Sequence, residues 1–277
     1  MNDTSNQETN RTSTQNPSFA ARLVNAPRDL LICLMFFTRL PVRLNLKTQV
    51  SLHVSVHMYP YAGAIVGFLG ALVILSATIL GLSPVPTAIL AITAMVFTTG
   101  ALHEDGLADM ADGFGGGHDR QRKLDIMKDS RIGTYGVLAL IFSQGLRIAV
   151  LAELIGLSPV GGVISVILAA VFSRTISMLF WASLTPARGD GLSKSSGQPD
   201  RIALAIAMGL SLSLMALLQS FGFGFVPLIV AMMGALVSLF LLVWLCKRQI
   251  QGQTGDTIGA TQQISELAFM TMLLMSL

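Results

Sequence analysis

The sequence predicts an all-α fold, a polytopic integral membrane helical bundle with about six to eight hydrophobic helices. Three observations carry that expectation. First, charged residues make up only 12% of the 277-residue chain and hydrophobic ones 52%, and mean hydropathy is +0.67. A soluble domain carries about 25% charged residues, so this chain cannot cover a globular surface with charge. Second, the apolar residues gather near 61–81, 85–102, 135–156, 160–184, 201–220 and 223–246, with a shorter run at 264–277. Most of these approach the roughly 20 residues that a helical crossing needs. Third, two kinds of connection alternate. Those near 82–85, 157–159 and 221–224 are short and uncharged, whereas 103–133, 185–200 and 247–263 hold most of the remaining charge. Hairpins across a membrane produce that alternation and leave the long loops on one face.

Along the chain, residues 1–20 read as a disordered polar tail, rich in Ser, Thr, Asn and Gln, with no apolar run to offset the cost of ordering. It lacks the apolar stretch of about 7–15 residues that a signal peptide requires. Residues 21–277 read as a single membrane domain. Within it, 27–46 has an apolar core, Leu30 to Phe37, too short to span and flanked by Arg28, Arg39 and Arg43. It is predicted to be interfacial or partly inserted. Arg120, Arg122, Lys123, Lys128, Arg131, Arg188, Lys194, Arg201, Lys247 and Arg248 all fall beside the long loops. The positive-inside rule places that face in the cytoplasm, which for a bacterial chain means the inner membrane. A net charge of +3 is too small to argue for nucleic acid. Cys33 and Cys246 are far apart in apolar surroundings and read as packing residues.

Charge reappears abruptly after a long silence. Residues 48–103 contain no Asp, Glu, Lys or Arg, and then HEDGLADMADGFGGG brings Glu104, Asp105, Asp109 and Asp112. On a helix Asp105, Asp109 and Asp112 fall within an arc of about 60°. Like charges on one face repel, so their retention points to a cation among them. Oxygen donors favour a hard ion, Mg²⁺ or Mn²⁺, with substrate phosphate oxygens completing the shell. Gly113, Gly115, Gly116 and Gly117 then read as a helix end whose amides approach a phosphate. Arg120, Arg122, Lys123, Lys128 and Arg131 follow, with Asp125 and Asp129 as a second carboxylate pair. Metal, glycines and arginines together are equipment for a diphosphate substrate. The spacing resembles the carboxylate motif of CDP-alcohol phosphotransferases, except that Arg would be expected where Asp109 stands.

HEDGLADMADGFGGG followed by IMKDSRIGTYGVLAL resembles the signature of the cobalamin synthase family, the adenosylcobinamide-GDP ribazoletransferases. FFTRLPV at 36–42, Arg174 in FSR, TPARGDGL at 185–192 and TGDTIGATQQISE at 254–266 are similar to the family's other motifs, and the likeness covers most of 28–270. Gln253 stands where a glycine would be expected. The resemblance implies a Mg²⁺-dependent transferase. A hydroxyl of α-ribazole or its 5′-phosphate attacks the phosphoryl group joined to adenosylcobinamide, and GMP leaves.

The site read from the sequence is therefore as follows. Glu104, Asp105, Asp109 and Asp112 are the metal candidates. Asp112 or Asp129 is the base. Gly115, Gly116, Arg131, Arg174 and Arg188 hold phosphates, Arg174 and Arg188 on the strength of the resemblance. Arg174 and Arg147 lie inside apolar segments, where a charge marks function by default. For Arg147 a structural pair with Glu153 is the alternative. Asp256 is a second-ligand or hydroxyl-acceptor candidate or a helix cap, and Glu266 an ordinary first-turn acid. His53 and His57 read as surface or core positions, and His103 as an aid to proton transfer or a solvated residue. Expected partners are adenosylcobinamide-GDP, α-ribazole and the lipid bilayer. A homo-oligomer or a complex with other cobalamin-assembly enzymes is left open. Two other functions compete: a phosphotransferase acting on CDP-alcohols or isoprenoid diphosphates, and a cation-regulated transporter. The transporter needs charge at membrane depth, and 61–81, 85–102, 201–220 and 223–246 have none inside them.

Overall fold

The computed structural model describes residues 17–44, 52–189, 197–218 and 223–277. The first sixteen residues of the expected tail, together with Asp190 and Lys194, lie outside them. Among the described residues the regular structure is helical, and an isolated bridge joins Pro186 and Gln253. In order come α1 (Phe19–Phe37), the short α2 (Leu52–Ser55), a 3₁₀ turn (Val56–Met58) that runs into α3 (Tyr59–Ile79), α4 (Pro84–Thr99), α5 (Leu102–Gly116) and α6 (Arg120–Ile126). Then follow α7 (Thr134–Leu157), α8 (Pro159–Ser183), α9 (Arg201–Leu218), α10 (Phe225–Gln249) and α11 (Gly255–Met275).

Among the described residues, Leu52–Ile79, Thr134–Leu157, Pro159–Ser183, Arg201–Leu218 and Phe225–Gln249 are long and apolar enough to cross a membrane. Their outward faces carry Phe68, Phe142, Phe240 and Leu241, each more than half exposed, which suits hydrocarbon and not water. The α4–α5 pair, bent by 88°, is apolar enough for a broken span or a re-entrant loop. The break is local: Gly100 and Ala101 are both left-handed, at φ 65° and 58°. Gly100 takes that conformation freely, whereas an alanine pays about 1–2 kcal/mol for it. Ala101→Gly is therefore expected to stabilise the fold by up to about 1 kcal/mol once the added freedom of the unfolded chain is counted. Thermal unfolding in detergent checks this, and an unchanged or lower midpoint would show that the turn is not strained.

The centre of the bundle is α8, most of whose side chains are buried. It packs against α3, α7, α9, α10 and α11. Leu168 and Phe172 sit in one cluster with Ile74 and Val66 of α3, Leu151 of α7 and Phe269 of α11. Small residues let backbones approach closely where there is no water to drive association. At Gly67 of α3 an added Cβ would lie 2.8 Å from the Ile167 Cα of α8.

Two boundaries differ from the sequence expectation. Helix α1 begins at Phe19, inside the segment assigned to the tail. The Ser18 hydroxyl caps it, and Arg22, buried at 1% exposure, donates to the Val54 carbonyl at 2.7 Å and pairs with Asp200 at 2.5 Å. A charged residue so placed fixes the chain more firmly than composition suggests. Helix α11 begins at Gly255, within the expected loop 247–263. Thr254 and Thr257 form a reciprocal capping box there. Its Thr, Gln and Glu residues look like loop composition but face inward and bond to one another. The stretch 103–133 likewise folds as two helices, α5 and α6, joined and followed by short turns.

Candidate active site

At the end of the bundle where α1 and α8 finish and α11 begins lies a cavity of about 250 Å³. Phe36, Phe37, Tyr59, Met178 and Trp181 give it an apolar wall, and Asp105, Arg188 and Asp256 a charged one. Helix α5 and the start of α11 meet at Gly106, where an added Cβ would lie 2.7 Å from the Asp256 carbonyl oxygen. That close crossing brings the carboxylates of Asp105 and Asp109 within electrostatic reach of Asp256. Arg188 is the cation facing them, its Nη1 3.6 Å from Asp256 Oδ2. Burial pushes the Asp256 carboxyl up from its ordinary value, and Arg188 and the Thr254 hydroxyl pull it back.

Arg188 is held by the backbone around it. Its Nη2 donates to the Leu124 carbonyl at 2.9 Å. Its segment pairs with the approach to α11, Ala187 N–H donating to Gln253 O at 2.8 Å and Gln253 N–H to Thr185 O at 2.9 Å. Arg120 clasps both strips, donating to Ile250 O at 2.9 Å and Ala187 O at 2.6 Å. Gln253, where a glycine was expected, is fully buried and keeps this backbone pairing. On the far side of Arg188 a second, polar cavity of about 300 Å³ is lined by Arg120, Lys128 and Arg188.

The sequence candidates do not all converge here. Asp105, Asp109 and Arg188 do. Asp112 turns away: its two oxygens accept from Gly133 N–H at 2.7 Å and Gly136 N–H at 2.8 Å, satisfying the otherwise unpaired first turn of α7. In the structure it thereby joins α5 to α7. Asp129 lies exposed in the turn after α6, in a two-pronged pair with Arg131 at 2.6 to 3.2 Å. That guanidinium holds its carboxyl down at about 2. Gly115 and Gly116 lie inside the last turn of α5, so their amides belong to the helix. Gly115 instead makes room for the Tyr135 ring, 2.6 Å from where a Cβ would stand.

Glu104, Arg147, Arg174 and Glu266 form a separate buried group between α5, α7, α8 and α11, none more than 7% exposed. Arg147 pairs with Glu266 and, at 3.5 Å, with Glu104. It does not pair with Glu153, the partner expected from sequence separation. Gln263 Nε2 donates to Glu104 at 3.0 Å and Gln262 Nε2 to Glu266 at 2.5 Å. Arg174 donates to the Ala170 carbonyl at 2.8 Å and lies 4.0 Å from Glu266, with its guanidinium 5.8 Å from the Tyr59 ring centre. Glu104 and Arg174 stand in this buried group and do not line the main cavity. Glu266, read as an ordinary first-turn acid, stands in the middle of α11 and neutralises this group.

Three features escaped the sequence reading: the Phe36–Phe37–Trp181 wall, the Tyr59–His103 hydrogen bond of 2.6 Å, and the Glu266 pairing. The first two involve residues that look like ordinary apolar or isolated polar positions. The Glu266 partnership was signalled only by the inward Arg147 and Arg174, each of which needed an acid.

Residues 29–274 match the family described as cobalamin-5-phosphate synthase. The chain is 45% identical over 241 residues to a protein of Mesorhizobium japonicum named adenosylcobinamide-GDP ribazoletransferase, covering 87% of this chain and 90% of that one. A protein of the same name from Azorhizobium caulinodans is 42% identical over 248 residues, covering 87% and 93%. Another from Allorhizobium ampelinum is 41% identical, covering 90% and 97%. No solved structure matches.

Proposed function

Because the chain belongs to the cobalamin-5-phosphate synthase family, we propose that this membrane-embedded transferase joins α-ribazole, or its 5′-phosphate, to adenosylcobinamide-GDP with release of GMP. The observation that carries the reading to particular residues is the meeting of Asp105, Asp109, Asp256 and Arg188 beside one cavity. The site faces the cytoplasm, on the inner membrane, because the basic residues cluster at its end of the bundle.

Among the described residues no three His, Cys, Asp or Glu side chains form a closed metal-binding set. Mg²⁺ does not need one, since it takes one or two carboxylates and fills its shell with water and phosphate oxygens. Asp105 and Asp109, with few cations opposing them, match that demand and would hold it. When bound, Mg²⁺ supplies positive charge to the diphosphate oxygens. Arg188, between the two cavities, neutralises phosphate charge as the bond to the GMP oxygen breaks and the bond from the ribazole hydroxyl oxygen forms. Asp256, its carboxyl raised by burial, takes the hydroxyl proton.

The test uses purified protein in liposomes with adenosylcobinamide-GDP and α-ribazole, following GMP and the completed corrinoid. Both products are expected in equal amounts, and EDTA should abolish them until Mg²⁺ is restored. Intact protein that releases no GMP would overturn the assignment, and CDP-alcohol substrates would be tried next.

A further inference from the structure

Arg188 lines two cavities, the main one and the polar one of about 300 Å³ formed by α6, the turn after it and residues 187–189. Asp256 lines the first and not the second. In the second, three cations, Arg120, Lys128 and Arg188, stand against one acid, Asp125. Gln121 Nε2 donates to that acid at 2.9 Å and takes up part of its accepting capacity. Arg120 is anchored by the carbonyls of Ile250 and Ala187, and Arg188 by that of Leu124, so two of the three cations are fixed in place before any ligand arrives. A polar cavity with an excess of preorganised positive charge suits a phosphate.

The direction of the reaction selects which phosphate. Displacement at phosphorus keeps the attacking and leaving oxygens roughly in line. Asp256 takes the acceptor's proton, which sets the attacking hydroxyl on the main-cavity side of Arg188. The leaving oxygen then departs towards the other side. As its bond to the transferred phosphorus breaks, GMP keeps the electron pair and its phosphate gains one negative charge. The second cavity supplies the charge to meet it, and its volume stands at the lower end of the ~300–1,000 Å³ of small-ligand pockets, the scale of one nucleotide and not of a corrin ring. We propose that the second cavity is the subsite of the leaving nucleotide, in which Lys128, with Arg120 and Arg188, holds the phosphate of GMP. This rests on the transferase reading above and adds to it the place of the departing group. The 5′-phosphate of an α-ribazole phosphate acceptor has the same chemistry, and separate KM values tell the two sources apart.

The experiment uses the full chain in detergent, as wild type, Lys128→Gln and Lys247→Gln. Lys128 is exposed, so glutamine there should leave the packing in place. Lys247, an exposed cation near the end of α10, lines neither cavity and is the charge-matched control. Equilibrium dialysis gives the Kd of GMP and of guanosine, and turnover gives the KM of adenosylcobinamide-GDP and of α-ribazole 5′-phosphate. Wild type should bind GMP more tightly than guanosine. Lys128→Gln should weaken GMP about tenfold, the size of one charge-assisted contact. It should raise the adenosylcobinamide-GDP KM by a similar factor and leave the acceptor's KM in place, whereas Lys247→Gln should change none of these. GMP bound by wild type no more tightly than guanosine would overturn the proposal, whatever became of the variants. So would a Lys128→Gln variant that matched the control, or one that raised the KM of the acceptor instead of the donor. Wild type that binds GMP in this Lys128-dependent way yet releases none from adenosylcobinamide-GDP would overturn the transferase reading and keep the nucleotide site.

Discussion

Arg147→Met is expected to destabilise the folded chain by about 3–5 kcal/mol, the cost of breaking a buried ion pair by removing one partner. Arg147 is 4% exposed and stands between two acids, Glu104 and Glu266. Methionine fills much of the volume and removes the charge. Two carboxylates would then remain in an apolar bundle with Arg174, 4.0 Å from Glu266, as the nearest cation. The fully charged group balances, two arginines against two glutamates, and the variant does not. Adding Glu266→Gln to Arg147→Met should recover a large part of the loss, because it removes one of the stranded charges. Thermal unfolding and monodisperse yield in detergent measure both. A single-variant loss below about 1 kcal/mol, typical of exposed pairs, would mean that the group is solvated and not part of the core.

Asp109→Asn should lower kcat by at least about 100-fold, the scale seen when one electrostatic contact to a transition state is removed. The side chain is half-buried beside Asp105 and Asp256, so the isosteric amide removes charge with little change in packing. Thermal stability should hold or rise, since a like charge has gone. Asp129→Asn is the matched control. That carboxylate lies exposed against Arg131, and its loss should leave turnover unchanged. GMP release over a Mg²⁺ titration reads both variants. If Asp109→Asn keeps full activity and Asp129→Asn loses it, the catalytic centre lies over the α6–α7 turn and not at the α5–α11 crossing.

The bundle and the end of it that gathers the charged loops were legible in the sequence because both follow from one-dimensional quantities, apolar length and the spacing of charged loops. The closeness of Asp105 and Asp109 on one helix face was legible for the same reason. The contact of Asp112 with α7 was not, although helical periodicity puts it on nearly the same face as Asp105. Whether a carboxylate on that face meets solvent or a neighbouring helix depends on where α7 starts, and the two free amides of that start claimed it. Composition also misjudged α11. Thr, Gln and Glu usually signal a loop, but in a membrane bundle a polar seam can be buried when every member finds a partner on another helix, as Gln262, Gln263 and Glu266 do. Pairings such as Arg147 with Glu266 join residues 119 apart, a separation at which neither periodicity nor local spacing carries information.

The same pairing orders events during synthesis. Arg147 enters the membrane within α7, whereas Glu266 belongs to α11, made later. At about 5–20 residues per second, the intervening 119 residues take roughly 6–24 s to emerge. Through that interval Glu104, already translated in α5, is the only one of the arginine's two acidic partners that exists. The nascent bundle therefore holds an unbalanced cation at its heart until the C-terminal helix docks. Chains cut short before Glu266 would retain their apolar spans, and so could still insert, yet remain open at the centre and exposed to membrane proteases. Closure of the bundle's centre in this way waits for Glu266 to emerge.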